Sequence, residues 1–414
     1  MTVSLSVKLV SLLDTDLYKF TMQQAVLNVF PDVVCTYRFT NRTPSTLFSK
    51  ECIDIYQKAV SNLANVSLTK SECEWLRASC PFFKEEYISY LSSYRFKPNQ
   101  VSITFVESPT FPGMGTVQIE TKGLWVETIL WEVPLMSLLS EAYFKTVDRD
   151  WDYEGQEDLA YRKGKALLEN GITFLEFGTR RRRSQRTHDL VVAGLKRATE
   201  DISGPNIGRM VGTSNVYLAY KHGLKPSGTI AHEWFMAIGA LMGYEHVNGK
   251  AMDVWHSVYG TANLIALTDT FTTDVFFQDF TGERARLWSG IRQDSGDPFV
   301  YAPKAKAVYE SLGVDYKERF IVYSDSVNVE LAINLKKQCD ELGFKAMFGI
   351  GTNFTNDFQI KSSEGKEKSK ALNMVIKLSS VNDLPCVKLS DEPHKHTGEP
   401  AAIEHVRAVF GMND

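Results

Sequence analysis

The sequence predicts an α/β protein in which an irregular α/β barrel is joined to a mixed α+β domain. From about residue 170, short apolar runs recur, each followed by a polar turn and a helical stretch, and their starts lie roughly 20 to 37 residues apart. Strands that alternate with helices in this way are joined by right-handed crossovers into a parallel sheet. The chain of 414 residues is also long enough for two domains with cores of their own.

Seven apolar runs are predicted to be the barrel strands. They lie at residues 172–177, 209–212, 228–230, 263–268, 290–292, 320–323 and 346–350. Seven such units fit a barrel better than a small open sheet. No Gly-x-Gly-x-x-Gly motif follows the first strand, so a dinucleotide-binding Rossmann domain has no support. We expect the barrel domain to span residues 146–369.

The remaining residues, 1–145 and 370–414, are expected to form one discontinuous α+β domain. The predicted elements are a helix from an Asp14-Thr15-Asp16 cap to about residue 30, strands at 33–39 and 101–106, helices at 73–94 and 125–144 with Pro134 as a kink or boundary, and a hairpin of 372–378 and 386–389. The residues Asn382-Asp383-Leu384-Pro385 are typical of the turn in that hairpin.

Composition disfavours several classes of protein. A net charge of −4 argues against a nucleic-acid binder held by bulk charge. The six cysteines include no Cys-x-x-Cys pair and are expected to be free thiols in a reducing compartment. Acidic residues interrupt the longest apolar run, 125–144, and the amino terminus is not a convincing signal peptide. We therefore expect a cytosolic protein with no membrane or nucleic-acid partner; a nuclear fraction is left open.

Polar motifs follow the predicted barrel strands at their carboxyl ends, which meet at one rim in this architecture and commonly carry the chemistry. In chain order they are Glu176-Phe177-Gly178-Thr179-Arg180-Arg181-Arg182-Arg183, Gly212-Thr213-Ser214-Asn215, Thr229 with His232, Thr268-Asp269-Thr270, Arg292-Gln293-Asp294-Ser295-Gly296-Asp297-Pro298, Ser324-Asp325-Ser326 and Gly349-Ile350-Gly351-Thr352-Asn353.

These residue types are typical of a site for a phosphorylated sugar. Glycines let backbone N–H groups approach phosphate oxygens, arginines clamp phosphate or carboxylate, and aspartates hold ribose hydroxyls or magnesium. Each motif also has a structural explanation. The four arginines could be a solvated basic run or a localisation signal, and the aspartates could cap helices. Because the clusters recur at the same end of every strand, we favour a shared site.

Together the motifs resemble the nicotinate phosphoribosyltransferase family in its fungal form, and the resemblance runs almost end to end. The matching segments are Leu13-Asp14-Thr15-Asp16-Leu17-Tyr18-Lys19, Phe177-Gly178-Thr179-Arg180-Arg181, Gly212-Thr213-Ser214-Asn215, Ala231-His232-Glu233-Trp234, the Arg292–Pro298 motif and Gly349-Ile350-Gly351-Thr352. The resemblance implies the type II phosphoribosyltransferase fold. It also implies that nicotinate and phosphoribosyl pyrophosphate (PRPP) form nicotinate mononucleotide and pyrophosphate, coupled to ATP hydrolysis, at the entry of nicotinate into NAD synthesis.

The resemblance also implies residue roles. His232 matches the histidine that ATP phosphorylates, and Asp269 a carboxylate that could orient it. Tyr18 and Phe177 match the aromatic pair that sandwiches the pyridine ring. Asp294 resembles a carboxylate that holds ribose or metal. Magnesium is expected to accompany PRPP and ATP, and no direct protein ligand for it is assigned.

Further matching residues are assigned to substrate binding. Arg180, Thr229 and Arg292 match positions that line the nicotinate and PRPP sites, and Gly349, Gly351 and Thr352 match the phosphate-binding loop. The catalytic set is thus His232, Asp269 and Arg292. In dimeric relatives the neighbouring subunit supplies the tyrosine, so a homodimer is required if Tyr18 acts in trans, whereas a monomer suffices if Tyr18 reaches its own barrel.

Ser214 is predicted to favour the acid over the amide. In the related nicotinamide enzyme the matching position is an aspartate, which accepts a hydrogen bond from the amide and would repel a carboxylate. Ser214 has no charge and can donate a hydrogen bond, so it tolerates nicotinate.

Three alternatives stay open. Another phosphoribosyltransferase of the same fold could act on nicotinamide, which Ser214 disfavours, or on quinolinate, which the long amino-terminal part and the His232 motif disfavour. A barrel that only senses a nucleotide is disfavoured because His232, Arg292 and the Gly349–Thr352 loop are all present. A metal-dependent hydrolase would need clustered histidines, and the eight histidines are scattered.

Overall fold

The computed structural model of the chain describes residues 6–228 and 230–412. The strands are β1 (Val34–Asn41), β2 (Phe48–Ser49), β3 (Val101–Glu107), β4 (Met114–Leu124), β5 (Thr173–Glu176), β6 (Arg209–Thr213), β7 (Ile265–Leu267), β8 (Gly290–Gln293), β9 (Phe320–Tyr323), β10 (Lys345–Ile350), β11 (Phe358–Gln359), β12 (Lys368–Ser369), β13 (Met374–Val381) and β14 (Leu384–Pro385).

Helices connect these strands. The α-helices are α1 (Leu17–Val29), α2 (Lys50–Asn62), α3 (Lys70–Ser79), α4 (Glu85–Ser93), α5 (Trp125–Thr128), α6 (Glu132–Thr146), α7 (Gln156–Glu169), α8 (Gln185–Asp201), α9 (Val216–His222), α10 (His232–Met242), α11 (Val247–Tyr259), α12 (Thr273–Asp279), α13 (Gly282–Leu287), α14 (Pro298–Ser311), α15 (Val329–Leu342), α16 (Thr352–Thr355) and α17 (Pro400–Val409).

Six strands form a parallel sheet in the order β6-β5-β10-β9-β8-β7. Its strands carry fully buried apolar side chains, among them Phe174, Ile291, Ile321 and Phe348, as expected for a parallel sheet covered by helices. The predicted fold class is confirmed, and six of the seven predicted barrel strands are present. Because the strands run in one direction, their carboxyl ends lie at one edge of the sheet.

The prediction of a strand at residues 228–230 was wrong. Gly228 and Ile230 lie outside any strand, and Thr229 lies outside the described residues. The preceding segment instead lies beside the edge strand β6: the Ser227 N–H donates to the Thr213 carbonyl at 2.9 Å. Pro226 has no N–H to donate, and glycine has a low preference for strands, so this segment does not continue a ladder.

The second large sheet is antiparallel and joins the two ends of the chain. Its order is β14-β13-β1-β4-β2, and β3 pairs with β4. Strand β13 pairs with β1 from Cys35 opposite Val381 to Asn41 opposite Met374. The carboxyl-terminal tail therefore shares a sheet with the amino-terminal strands, and the domain boundaries near residues 145 and 370 stay a prediction.

The predicted hairpin is present, but the prediction of its second strand at 386–389 was wrong: β13 pairs with β14 (Leu384–Pro385), and residues 386–389 lie outside the named strands. The turn between β13 and β14 is formed by the predicted Asn382 and Asp383. Asn382 and Asp383 have φ of 46° and 61°. Two consecutive positive φ values are typical of the tight turns whose twist matches that of the flanking strands, and Asn and Asp tolerate them better than most residues.

Two predicted helices are interrupted in the structure. The stretch 73–94 contains parts of α3 and α4, with Pro81 between them. The stretch 125–144 contains α5 and most of α6, and Pro134 lies in the first turn of α6, where a missing N–H costs no hydrogen bond. The sequence patterns did not predict β4 or α17. In the described ranges, no helix has the length and apolar character that a membrane span requires, and all six cysteines are free and buried.

Candidate active site

A cavity of about 910 Å³ opens at the carboxyl ends of the parallel strands. The residues that follow β5, β6, β8, β9 and β10 form one side of it, and α1 and the carboxyl-terminal tail form the other. Nine of the residues predicted from the sequence line it: Tyr18, Phe177, Arg180, Ser214, His232, Arg292, Asp294, Gly351 and Thr352. Asp269 and Gly349 are buried behind the wall, and Thr229 lies outside the described residues.

Glycines allow a close approach to both aromatic residues, to the ring of Phe177 and to the backbone of Tyr18. A Cβ atom at Gly349 would lie 2.6 Å from two ring carbons of Phe177. A Cβ atom at Gly228 would lie 3.2 Å from the backbone nitrogen of Tyr18. The structure places Gly349 against the Phe177 ring, and its predicted part in a phosphate-binding loop stays a prediction. Gly351 and Thr352 line the cavity beside it.

Tyr18 reaches the cavity of its own chain. The Leu17 N–H donates to the Ser214 carbonyl at 2.8 Å, and the Val216 N–H donates to the Thr15 carbonyl at 3.0 Å. These backbone hydrogen bonds hold the start of α1 against the segment after β6. Both aromatic side chains are therefore supplied by one chain, as required if a monomer is to suffice.

His232 begins α10 and contacts four polar side chains. Its Nδ1 lies 3.1 Å from Thr270 Oγ1. Its Nε2 lies 3.0 Å from Asp294 Oδ2, 3.0 Å from Lys388 Nζ and 3.7 Å from Asp269 Oδ1. Burial lowers the pKa of His232, and although the two carboxylates oppose this effect, the net direction is downward. The ring is therefore neutral near pH 7, the state in which it can act as a nucleophile.

Asp294 is the carboxylate nearest to His232, although the sequence analysis assigned the orienting role to Asp269. Asp294 also lies 3.1 Å from the Arg292 guanidinium and accepts a hydrogen bond from Ser324. Burial opposes its ionisation, but Arg292 and His232 lower the pKa of Asp294 well below its ordinary value. Asp294 is thus ionised and able to fix the orientation of the ring.

Asp269 is fully buried and lies further from His232 Nε2 than Asp294 does, at 3.7 Å. It accepts a hydrogen bond from Ser295 Oγ at 2.6 Å, and its other near neighbour is Lys388, at 3.4 Å. The possible ligand atoms of His232, Asp269 and Asp294 lie within 4.8 Å of one another, a spacing that a metal ion could bridge. The ammonium of Lys388 already lies among them, and Mg²⁺ prefers an all-oxygen set. We therefore do not assign this cluster as a metal site.

The four consecutive arginines, 180–183, divide into two that line the cavity and two that are buried. Arg180 is 43% exposed and contacts Glu132 at 3.2 Å, and Arg181 also lines the cavity. Arg182 instead forms a fully buried bidentate ion pair with Asp14, at 2.6 and 2.8 Å. Arg183 is buried as well, with its guanidinium 3.6 Å from the centre of the Phe144 ring. Only the first two arginines are therefore available to a ligand.

The cavity wall is strongly cationic. Among the described residues that line it, nine are lysine or arginine and four are aspartate, whereas the whole chain has a net charge of −4. Concentrated positive charge in a cleft attracts anions and raises their local concentration. The arrangement fits a ligand with several negative charges.

Six of these cations were missed by the sequence analysis. They are Arg42, Lys368, Lys370, Lys377, Lys388 and Lys395. Burial, with the charges of Lys388 and Arg42, lowers the pKa of Lys377 to about 7. Lys377 and Lys388 both stand within apolar runs of the sequence, which was the available signal, because a lysine in a buried strand requires a partner or a function.

Ser214 has a carboxylate partner that the sequence did not reveal. Its hydroxyl donates to Asp16 Oδ1 at 2.6 Å, and both residues line the cavity. Asp16 was predicted to cap α1, but its side chain makes no capping hydrogen bond. Burial raises the pKa of Asp16. A ligand at this position would therefore contact a Ser214–Asp16 pair and not Ser214 alone.

Comparisons with known proteins agree along the whole chain. Residues 172–414 match the nicotinate phosphoribosyltransferase family, and residues 13–140 match the amino-terminal domain of the same family. A nicotinate phosphoribosyltransferase from Saccharomyces cerevisiae is 45% identical over 410 residues, which cover 98% of this chain and 95% of the relative.

Solved structures show the same relationship. A crystal structure from S. cerevisiae is 44% identical, with a TM-score of 0.95 and coverage of 99% of each chain. The crystal structure of nicotinate phosphoribosyltransferase from Porphyromonas gingivalis is 38% identical, with a TM-score of 0.88 over 97% of this chain and 99% of that one. From its motifs, its fold and these matches, the chain belongs to the nicotinate phosphoribosyltransferase family, a family of enzymes.

Proposed function

We propose that the protein transfers the phosphoribosyl group of PRPP to nicotinate and couples this reaction to ATP hydrolysis through a phosphohistidine at His232. The products are nicotinate mononucleotide and pyrophosphate, and the reaction brings preformed nicotinate into NAD synthesis. One observation carries the proposal: a single cavity is lined by the aromatic pair Tyr18 and Phe177, by His232 and by nine cationic side chains.

The aromatic pair supports a subsite for the pyridine ring. Flat rings gain dispersion and quadrupole interactions from aromatic neighbours. The hydroxyl of Ser214 and the guanidinium of Arg180 line the same cavity, and Arg180 is suited to the nicotinate carboxylate because a guanidinium binds carboxylates in a bidentate manner. The ring nitrogen has a free lone pair near neutral pH, so its attack on the anomeric carbon requires no general base.

The cationic wall supports binding of the diphosphate. As the bond between the anomeric carbon and nitrogen forms, the bond to pyrophosphate breaks and negative charge accumulates on the leaving group. Fixed cations such as Arg292 and Arg181 stabilise that charge without reorganisation. Magnesium, which we expect to arrive with the phosphates, would add to this stabilisation. Asp325 lines the cavity without contacting His232 and would offer the magnesium ion a carboxylate oxygen.

The surroundings of His232 support its phosphorylation. A neutral ring has a nitrogen lone pair that can bond to the γ-phosphorus of ATP while the bond to ADP breaks. We assign the attack to Nε2, which lies 3.0 Å from Lys388 Nζ, while Nδ1 keeps its proton and can donate it to Thr270 Oγ1 at 3.1 Å. The carboxylates of Asp294 and Asp269, 3.0 and 3.7 Å from Nε2, balance the positive charge that the ring gains. Phosphorylation adds about two negative charges beside the diphosphate subsite, which can drive changes in substrate affinity and product release.

The structure also supports proposals for the location and the oligomeric state of the protein. Six free cysteines support a reducing compartment, so we propose the cytosol. Because Tyr18 lines the cavity of its own chain, we propose that a monomer is sufficient for activity.

The proposed function is tested by measuring pyrophosphate release. Purified protein is given PRPP and magnesium, with nicotinate or nicotinamide as acceptor, each with and without ATP. We expect release with nicotinate that ATP stimulates. Release with nicotinamide alone would overturn the proposed substrate but keep the reaction class, and no release from folded protein would favour a nucleotide sensor. An Arg292→Met variant controls for contaminating enzymes, because it removes a cation of the cavity and should lose the activity.

A further inference from the structure

Lys388 contacts His232 from outside the barrel. Its side chain is 6% exposed, and its Nζ lies 3.0 Å from His232 Nε2 and 3.4 Å from Asp269 Oδ2. Lys388 belongs to the carboxyl-terminal tail, which shares the antiparallel sheet with the amino-terminal strands. The candidate phosphorylation site is therefore completed by a residue that lies 156 positions away in the sequence.

The tail holds Lys388 in place through hydrogen bonds on both sides. The Lys388 N–H donates to the Thr397 carbonyl at 2.8 Å. The Leu389 N–H donates to the carbonyl of Thr270, also at 2.8 Å, and Thr270 is the partner of His232 Nδ1. Asp391 accepts a hydrogen bond from the Thr273 N–H at 2.7 Å. The same segment thus fixes both the ammonium and the residue on the opposite side of the ring.

The charges around His232 require a cation. Asp269 and Asp294 place two carboxylates beside the ring, and the nearby Arg292 is paired with Asp294 at 3.1 Å. A phosphoryl group on the ring would add about two further negative charges. Several like charges in a buried site are strongly unfavourable unless a cation lies among them. Among the residues that the structure describes, Lys388 is the cation that contacts the ring directly.

We propose that Lys388 is a positioning residue for His232. Its ammonium group keeps the imidazole neutral and nucleophilic, and it then pairs with the phosphoryl group that the ring receives. The proposal rests on the proposed function and adds a residue, and a part of the chain, to the phosphorylation step. It also explains why a lysine stands within the apolar run before Leu389.

The electrostatic effect has a defined sign. The charged groups that face His232 are Asp269 and Asp294, which raise its pKa, and Lys388, which lowers it together with burial. Arg292 affects His232 mainly by pairing with Asp294. Lys377 interacts with Lys388 and Asp269, which in turn face the ring. Removing the Lys388 charge takes away one of the two effects that lower the pKa of His232, so that pKa should rise.

The first test is a titration of His232 in the full-length protein, followed by NMR of ¹³C-labelled histidine. We expect Lys388→Met to raise the midpoint of His232 by roughly one pH unit or more, because a charge in contact acts strongly in a buried site. Lys388→Arg should keep the midpoint near that of the wild type. Lys395→Met is the matched control, since Lys395 comes from the same tail but pairs with Asp325 at 3.0 Å, and it should leave the midpoint unchanged.

The second test measures the phosphoenzyme formed from ATP labelled in the γ-phosphate. At pH 7 we expect Lys388→Met to form phosphoenzyme at least about tenfold more slowly than the wild type, with the deficit shrinking as the pH rises and the ring deprotonates. Lys388→Arg should recover most of the rate. Lys388→Gln, which keeps a hydrogen-bond donor without a charge, replaces the methionine variant if that variant does not fold.

The outcomes separate the two proposals. A His232 midpoint that does not move in folded Lys388→Met or Lys388→Gln overturns the role of Lys388, whatever the enzyme does with ATP. A wild-type protein that releases pyrophosphate but never forms phosphoenzyme overturns the ATP coupling, and with it the pairing of Lys388 with a phosphoryl group. A shifted midpoint together with slowed phosphorylation supports both.

Discussion

The Lys19 ammonium lies 2.5 Å from the Glu233 carboxylate in the interior and joins two helices of the candidate site. Lys19 follows Tyr18 in α1, and Glu233 follows His232 in α10. A second carboxylate, Glu132, lies 2.6 Å from the same ammonium. The ion network therefore fixes the helix that carries a candidate ring-binding residue against the helix that carries the candidate phosphorylation site.

Replacing Lys19 by Met should strongly destabilise the fold. The change leaves the buried Glu233 carboxylate without its cation and leaves Glu132 with Arg180 alone, and loss of one partner of a buried ion pair costs about 3–5 kcal/mol. The free energy of unfolding, measured by urea denaturation, should fall by that amount. Lys50→Met is the control, because Lys50 pairs with Asp54 on the surface and exposed pairs contribute about 0–1 kcal/mol. Equal effects of the two changes would contradict a structural role for the network.

Replacing His232 by Ala should remove the effect of ATP while slow synthesis of the mononucleotide continues. The ring nitrogen that would receive the phosphoryl group is lost, but the aromatic pair and most of the cationic wall remain. The ratio of kcat/KM with ATP to kcat/KM without ATP should fall to about one. His222→Ala should keep the wild-type ratio, because His222 pairs with Asp189 and does not line the cavity. Undiminished ATP stimulation in the His232 variant would count against a phosphohistidine at this position.

Replacing Gly349 by Ala should weaken nicotinate binding more than PRPP binding. The added Cβ atom would lie 2.6 Å from the ring of Phe177, so the ring must move away from its present position. We expect KM for nicotinate to rise about tenfold, which corresponds to a loss of about 1.4 kcal/mol. Gly282→Ala provides the control, because its nearest contact would be an ordinary 3.4 Å. A larger rise in KM for PRPP than in KM for nicotinate would instead support a role for Gly349 in phosphate binding.

Replacing Ser214 by Asp should shift the preference from nicotinate towards nicotinamide. The new carboxylate would lie beside Asp16, which Ser214 now contacts at 2.6 Å, and two adjacent carboxylates disfavour an anionic ligand. We expect the ratio of kcat/KM for the acid to that for the amide to fall at least about tenfold. Ser214→Ala removes only the hydroxyl and separates its loss from the added charge. An unchanged ratio in the aspartate variant would contradict the role of this position in selecting the acid.

The short motifs predicted the side of the cavity formed by the strand ends, but neither the side formed by the carboxyl-terminal tail nor the contacts between the side chains. Phe177, Arg292 and Asp294 follow strands in predictable positions, because a polar motif after an apolar run is visible locally. The identity of the carboxylate nearest to His232 was not visible, since Asp269 and Asp294 both follow parallel strands. Their distances to the ring depend on the relative positions of β7 and β8, which no local pattern specifies.

The sequence by itself determined the alternation of strands and helices, the family of the protein and the motifs at the strand ends. These are local properties, set by hydrophobic periodicity and by short runs of glycine, arginine and aspartate. Only the tertiary structure decided that Arg182 is buried against Asp14 while Arg180 lines the cavity. It alone also placed Lys388 against His232. The physical reason is the same for both: buried charges are positioned by partners that lie far away in the sequence, and packing of whole elements, not spacing along the chain, brings those partners together.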